Sequence, residues 1–307
     1  MKRRQFLIKS AQTSAAISIV SPFNFLNFTQ DKPLFFKISL AQWSLHNALF
    51  DKKMDNLDFA AKSRQFGCEG LEYVNAFFKD KATDKSYLAE MNNRAQAEGQ
   101  KNVLIMIDGE GNLADADTSK RLVGIENHHK WVDAAHYLGC HAIRVNLGGG
   151  VDKDEAIKAS IDSLTKLSDY AKGSNINILV ENHGGFSSDG SWMTKVFSQV
   201  ENTNCGTLPD FGNFCITRKN NECLESYDRY KGMEELLPFA KAVSAKSNDF
   251  NAEGDEIHTD FYRVMKMVKE VGYKGYVGIE YEGTKVSEEK GIELTRDLLI
   301  KVGKKLS

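Results

Sequence analysis

Proline is scarce in this 307-residue chain, with four in all, and no Pro- or Ser-rich stretch offers a linker at which to divide it into two domains. An excess of one charge is missing too: 40 Lys and Arg stand against 42 Asp and Glu, a net charge of −2, with no dense basic run. That balance removes the electrostatic basis for gripping a phosphate backbone and argues against a nucleic-acid partner. Cysteines are few and odd in number. Cys68, Cys140, Cys205, Cys215 and Cys223 stand at irregular spacings, which suggest neither a full disulfide framework nor a C-x-x-C zinc site. Cys215 and Cys223 are close enough to pair within one loop, and the rest read as buried thiols. Aromatics, by contrast, make up 10% of the chain, too many for an extended disordered polymer.

The amino terminus reads as an address. Residues 1–30 start basic and continue through a modest apolar stretch of small residues, the layout of an export signal. Arg3, Arg4, Phe6 and Leu7 form RRQFL, which resembles the twin-arginine motif of proteins exported already folded. The expectation is a periplasmic or cell-envelope location, by a route that permits a cofactor to be loaded before translocation. The alternative is a disordered basic tail. The apolar run is too short and too broken by Ser and Thr for a spanning helix, so no stable membrane span is expected beyond the signal.

From residue 34 to 307 the apolar period switches repeatedly between short continuous runs and a spacing of 3.6, the pattern of parallel βα units. The spacing predicts strands at 35–43, 68–74, 102–108, 141–147, 176–182, 206–211, 242–247 and 276–282. Helices are predicted at 57–66, 87–98, 120–138, 155–171, 192–200, 233–240, 261–271 and 288–302. Eight alternations over ~275 residues match a single-domain α/β protein of the (β/α)8 TIM barrel type. A doubly wound open sheet is the competing architecture, but no G-x-G-x-x-G follows the first strand. Gly148, Gly149 and Gly150 follow the fourth strand without a P-loop lysine and read as a flexible loop. The segment 214–230 is long for a βα connection and is expected to act as a lid.

Polar side chains late in barrel strands point to a catalytic mouth. Here they are Trp43, Glu72, Asp108, Asn146, Glu181 with His183, Asp210, Ser244 with Lys246, and Glu280 with Glu282. Two unit charges ~4 Å apart at an effective dielectric of ~20 repel by about 4 kcal/mol, so several acids around one mouth need a cation. A divalent metal on hard oxygens, the Lys246 ammonium, or carboxyl groups of raised pKa would each answer that need. Trp43 reads as a flat platform for stacking a ligand or as a packing residue. Glu72 and Asp108 read as partners for substrate hydroxyls or as helix caps. His183 reads as a substrate-contacting or proton-transfer group or as a structural histidine. His128, His129, His136 and His141 lie on or beside the third predicted helix and read as packing or solvated residues.

The motifs AQWSL, GCEGLEYV, ILVENHGG, TLPDFGNF, AVSAKSNDF and GYKGYVGIEYEG together resemble the xylose isomerase-like TIM barrels of the sugar phosphate isomerase/epimerase group. The resemblance covers essentially the whole chain after the signal. It implies a divalent cation, Mn²⁺ or Mg²⁺, held by Glu181, Asp210 and Glu280. It also implies that the two glutamates relay protons beside a substrate carbonyl. Two positions depart from the family's pattern. Ser244 stands where a His ligand is usual, and Asn213 stands where a second His often follows the strand-six Asp; both departures favour a harder oxygen site.

The function expected is an exported sugar or keto-sugar isomerase or epimerase. Glu181, Glu280 and Lys246 would be its catalytic groups, and Trp43, Glu72, Asp108, Asn146, His183 and Asn213 would contact a small carbohydrate substrate. A lyase acting on 3-keto-glycosides through the same enediolate, and a non-catalytic sugar-binding barrel, are the rival readings.

Overall fold

A computed structural model describes residues 33–220 and 222–307. The twin-arginine segment lies outside the described residues. Pro33–Ser307 forms one compact unit.

Eight parallel strands carry the unit: β1 (Lys37–Ala41), β2 (Gly70–Val74), β3 (Lys101–Met106), β4 (Ala142–Val145), β5 (Asn177–Glu181), β6 (Cys205–Leu208), β9 (Val243–Ser247) and β10 (Tyr276–Tyr281). The sheet runs β6-β5-β4-β3-β2-β1-β10-β9. Parallel bridges from Thr207 to Ala240 and from Asp210 to Ser244 join its two edges, so the sheet closes into a barrel. The remaining two strands, β7 (Cys215–Lys219) and β8 (Glu222–Ser226), pair antiparallel as a separate hairpin.

The strands are short and almost wholly buried, as parallel strands covered on both faces must be, with polar residues among the apolar ones in β2, β4 and β9. Helices follow them: α1 (His46–Phe50), α2 (Phe59–Gln65), α3 (Lys85–Ala97), α4 (Thr118–Leu138), α5 (Lys153–Lys172), α6 (Gly190–Phe197), α7 (Arg229–Leu236), α8 (Phe261–Glu270) and α9 (Glu288–Leu306). Asp84, Asp117, Asp152, Asp189, Asp228 and Asp260 start α3 to α8 by accepting backbone N–H bonds of the first turn. Ser287 does the same for α9. Each such cap is worth about 1 kcal/mol. Among the described residues no helix is long and apolar enough to cross a membrane.

Two predicted elements change. The helix expected over 233–240 begins at Arg229, behind its Asp228 cap, and gives way at Leu237–Phe239 to a tight turn containing Pro238, which has no N–H to continue the helix. Within 214–230, expected as an irregular lid, lies the β7–β8 hairpin, cross-linked by a Cys215–Cys223 disulfide. Cys68 and Cys140 are buried free thiols, and Cys205 is half-buried.

The larger core lies between the sheet and the helices, and a smaller one fills the barrel. The inner set includes Ala41, Val74, Leu104, Met106, Ala142, Leu179 and Ala242. Side chains alternate along a strand, so Ala142 shares its face with Arg144, Leu179 with Glu181, Val74 with Glu72, and Ala242 with Ser244 and Lys246. The period-2 pattern therefore sends every one of these polar groups inward.

Candidate active site at the barrel mouth

Glu181 ends β5, Asp210 follows β6 at the closing seam, and Glu280 lies near the end of β10. All three are buried, and each offers a carboxylate oxygen within 4.8 Å of the others. The expected convergence of acids at one point is what the structure contains.

Two buried cations flank them. Lys246 Nζ lies 3.0 Å from Glu280 Oε1 and 3.1 Å from Glu282 Oε2. Arg144 Nε is paired at 2.9 Å with Glu181 Oε2, and its Nη1 donates to Asp108 Oδ1 at 2.7 Å. The remaining acid, Asp210, receives the backbone N–H groups of Gly212 and Asn213 on Oδ1. Gly212 is required here, because a Cβ would stand 2.8 Å from the Lys246 stem. One oxygen of each acid is thus anchored by a cation or by backbone. The others meet neutral donors: Asn213 Nδ2 donates to Glu181 Oε1 at 3.0 Å, and Ser244 Oγ lies 2.7 Å from Asp210 Oδ2 and 3.0 Å from Glu280 Oε2. A hydroxyl has one proton, so Ser244 donates to one acid at a time; a proton on Asp210 lets it bridge both.

The protonation preferences divide. Burial pushes Glu181 up, and the pull of Arg144 does not cancel it. Burial also raises Asp210, with Lys246 opposing and the charges of Glu181 and Glu280 adding. Burial acts on Glu280 as well, but the Lys246 ammonium more than offsets it and holds that carboxyl below its ordinary value. Acids pushed apart in this way are suited to opposite roles in proton transfer.

The other expected residues fall into two groups. Asp108, Asn146, Asn213, His183 and Trp43 lie around the acids at the mouth. Asn146 Nδ2 donates to Asp108 Oδ1 at 2.7 Å, while its Oδ1 is buried without a hydrogen-bond partner. His183 is exposed, its backbone N–H bonded to Ser187 Oγ. Trp43 donates from Nε1 to Glu282 Oε1 at 2.5 Å and stacks on His46. Glu72 is different: it sits closed inside the barrel, neither capping a helix nor reaching the surface. It accepts a hydrogen bond from Ser39 Oγ, and Gly278 leaves the room its carboxyl occupies. The histidines of the helical segment also lie away from the mouth. His128 is buried with Nδ1 on the Gly124 carbonyl, His129 stacks on Tyr170, and His136 meets the Ser174 carbonyl.

Burial, partly opposed by the Ser39 hydrogen bond and reinforced by Glu280 and Glu181, pushes Glu72 from 4.5 to about 8. Between those values folded Glu72 holds a proton that the unfolded chain releases, so its contribution is complete at low pH and is lost as pH rises to about 8. The slope is about 1.4 kcal/mol per pH unit. Glu72→Gln, neutral at every pH, is expected to flatten the dependence of urea-unfolding stability between pH 5 and 8; an unaltered slope would remove this role.

Arg144 is not among the strand-end residues read as the mouth, and Glu282 is named there without a role, yet both pair with the residues of the centre. Their signal was available: an arginine in the middle of a buried strand must find partners, because an unpaired buried charge is prohibitively costly.

A closed barrel with a buried acidic cluster at the carboxyl ends of its strands defines the class: a (β/α)8 protein, the fold whose enzymes work at that face. The chain belongs to the xylose isomerase-like TIM barrel family, whose sequence pattern matches residues 60–302. No curated protein matches it by sequence. Among solved structures it is similar to a xylose isomerase-like TIM barrel protein from Mycobacterium smegmatis in complex with magnesium, at 17% identity over 89% of this chain and 98% of that one, TM-score 0.67. It is also similar to D-psicose 3-epimerase with D-tagatose from Clostridium cellulolyticum H10, at 13% identity over 88% and 99%, TM-score 0.66. A third is 3-keto-D-glucoside 4-epimerase from E. coli, at 14% identity over 87% and 99%, TM-score 0.64. At these identities the likeness is one of fold.

The donor set fits a hard divalent cation. Three carboxylate oxygens converge, their partner oxygens are fixed by Arg144, backbone N–H groups and Lys246, and burial with mutual repulsion disfavours ionising Glu181 and Asp210 together. Anchoring of one oxygen while the other faces a shared centre is how outer groups orient metal ligands. Ser244, in place of an imidazole, adds a neutral oxygen and keeps the set hard.

Proposed function

We propose that this protein is a sugar or keto-sugar isomerase or epimerase that moves a proton at the carbon beside a carbonyl. The observation that carries the reading is the convergence of Glu181 and Glu280 with Asp210 between two buried cations. Glu280, held as a carboxylate by Lys246, removes the proton, and Glu181, the other glutamate of the cluster, returns one to the other face or to the neighbouring carbon. Arg144 and Lys246 are fixed positive charges beside the enediolate that develops between the two steps, stabilisation that requires no reorganisation at the moment of reaction. A divalent ion on Glu181, Asp210 and Glu280, when bound, supplies a Lewis acid for the carbonyl. The unpartnered Asn146 Oδ1 accepts a substrate hydroxyl, and the Trp43 face turned away from His46 stacks on the ring.

The test is exchange in D₂O, followed by NMR, of keto-hexoses and 3-keto-glucosides with the protein and Mg²⁺ or Mn²⁺. Deuterium entering beside the carbonyl is expected, and its absence across the panel would reject the reading. A product that has lost its aglycone instead of inverting would make the enzyme a lyase with the same first step.

We also propose export to the periplasm or cell envelope by the twin-arginine route. RRQFL supports it, and the Cys215–Cys223 disulfide suits an oxidising compartment. Arg3→Lys with Arg4→Lys is expected to retain precursor in the cytoplasm, and normal export of that variant would refute the route.

A further inference from the structure

We propose that the mouth carries a second sugar subsite, so that the molecule worked on is a glycoside of two units and not a free monosaccharide; this rests on the sugar-processing reading above.

A cavity of about 350 Å³ opens beside the acid cluster, lined among others by Gly212, Arg229, Asp249, His258, Glu282 and Thr284. Its volume lies within the range of small-ligand sites, about 300–1,000 Å³. It is built by the segments that follow β6, β9 and β10, so it belongs to the catalytic face. It also shares two walls with the centre. Gly212 donates to Asp210 Oδ1 and packs on Lys246, and Glu282 bonds both Lys246 and Trp43. A ring in this cavity is therefore adjacent to one seated over Glu181 and Glu280.

The pocket is held in shape before any ligand arrives. Buried Glu256 accepts the backbone N–H groups of Asn248, Asp249, His258 and Thr259, drawing both ends of the β9–α8 connection onto one carboxylate. Arg229 Nη1 then ties the His258 carbonyl, and Thr259 Oγ1, to the start of α7.

The chemistry of the lining selects the ligand. Asp249 is bonded to Lys285 and His258, the Arg229 guanidinium is engaged by the loop, and Glu282 is paired with Lys246. Positive and negative groups offset each other, which disfavours a phosphate or carboxylate. Planar amide, carboxylate and imidazole groups with hydroxyls suit the alternating donors and acceptors of a neutral polyol.

The experiment is calorimetry with the Mg²⁺-loaded protein, using methyl 3-keto-α- and β-D-glucopyranosides against 3-keto derivatives of cellobiose, maltose and trehalose. At least one disaccharide is expected to bind about tenfold or more tightly than the matching methyl glycoside. Thr284→Trp, which fills the cavity, and His258→Ala are expected to weaken that disaccharide at least about fivefold more than the methyl glycoside. Equal affinities for one- and two-unit sugars, or equal losses in both variants, overturn the subsite while leaving the sugar reading intact. Binding of no sugar at all overturns both.

Discussion

Replacing Glu280 by Gln is expected to slow deuterium exchange beside the substrate carbonyl by about 10²- to 10⁴-fold, the span a positioned acid or base contributes. The substitution preserves shape and removes the charge that Lys246 keeps on this carboxyl. Glu181→Gln is expected to act as strongly if it is the returning acid. Asp210→Asn separates metal holding from proton transfer: calorimetry should record a large loss of Mg²⁺ or Mn²⁺ affinity, because one of three converging ligands is gone. Circular dichroism and urea melts on each variant distinguish lost chemistry from lost folding. A folded Glu280→Gln protein that exchanges at the wild-type rate would remove Glu280 from the mechanism.

Lys246→Met is expected to destabilise the fold by about 3–5 kcal/mol, the usual consequence of deleting one member of a buried ion pair. Its ammonium lies against Glu280 and Glu282 and offsets the charge of Asp210 and Glu181. Without it the barrel must ionise fewer acids or admit water. The double variant Lys246→Met with Glu280→Gln should recover part of the loss, because the uncompensated carboxylate is removed along with its partner. Urea denaturation at pH 7 measures both. A single variant as stable as the parent would show that Lys246 is not the cation on which the acids depend.

Much of this architecture is legible in the chain. Each barrel strand is a short apolar run, each of α3 to α9 begins behind an Asp or Ser, and the polar residues recur near strand ends. The hairpin of β7 and β8 was missed because its residues are mostly exposed and have no apolar period to betray a strand. Glu72 misled for a related reason. Position along a strand does not reveal depth, and Gly278 on β10, one strand beyond β1, creates the space that takes its carboxyl inside. The boundary of α7 followed from Asp228 and Pro238, both visible in the sequence but outweighed by the apolar spacing that follows.

The sequence by itself determined the alternation of elements, the inward parity of Glu181, Ser244, Lys246 and Glu280, and the hard-oxygen character of the centre, because periodicity and side-chain chemistry are local properties. Only the tertiary structure decided which cation meets which acid. Arg144 reaches Asp108 and Glu181 across about 36 residues of chain on either side, and Ser244 touches acids from two other strands. Those pairings depend on barrel closure and strand register, which arise from packing over the whole molecule and leave no mark at any one position.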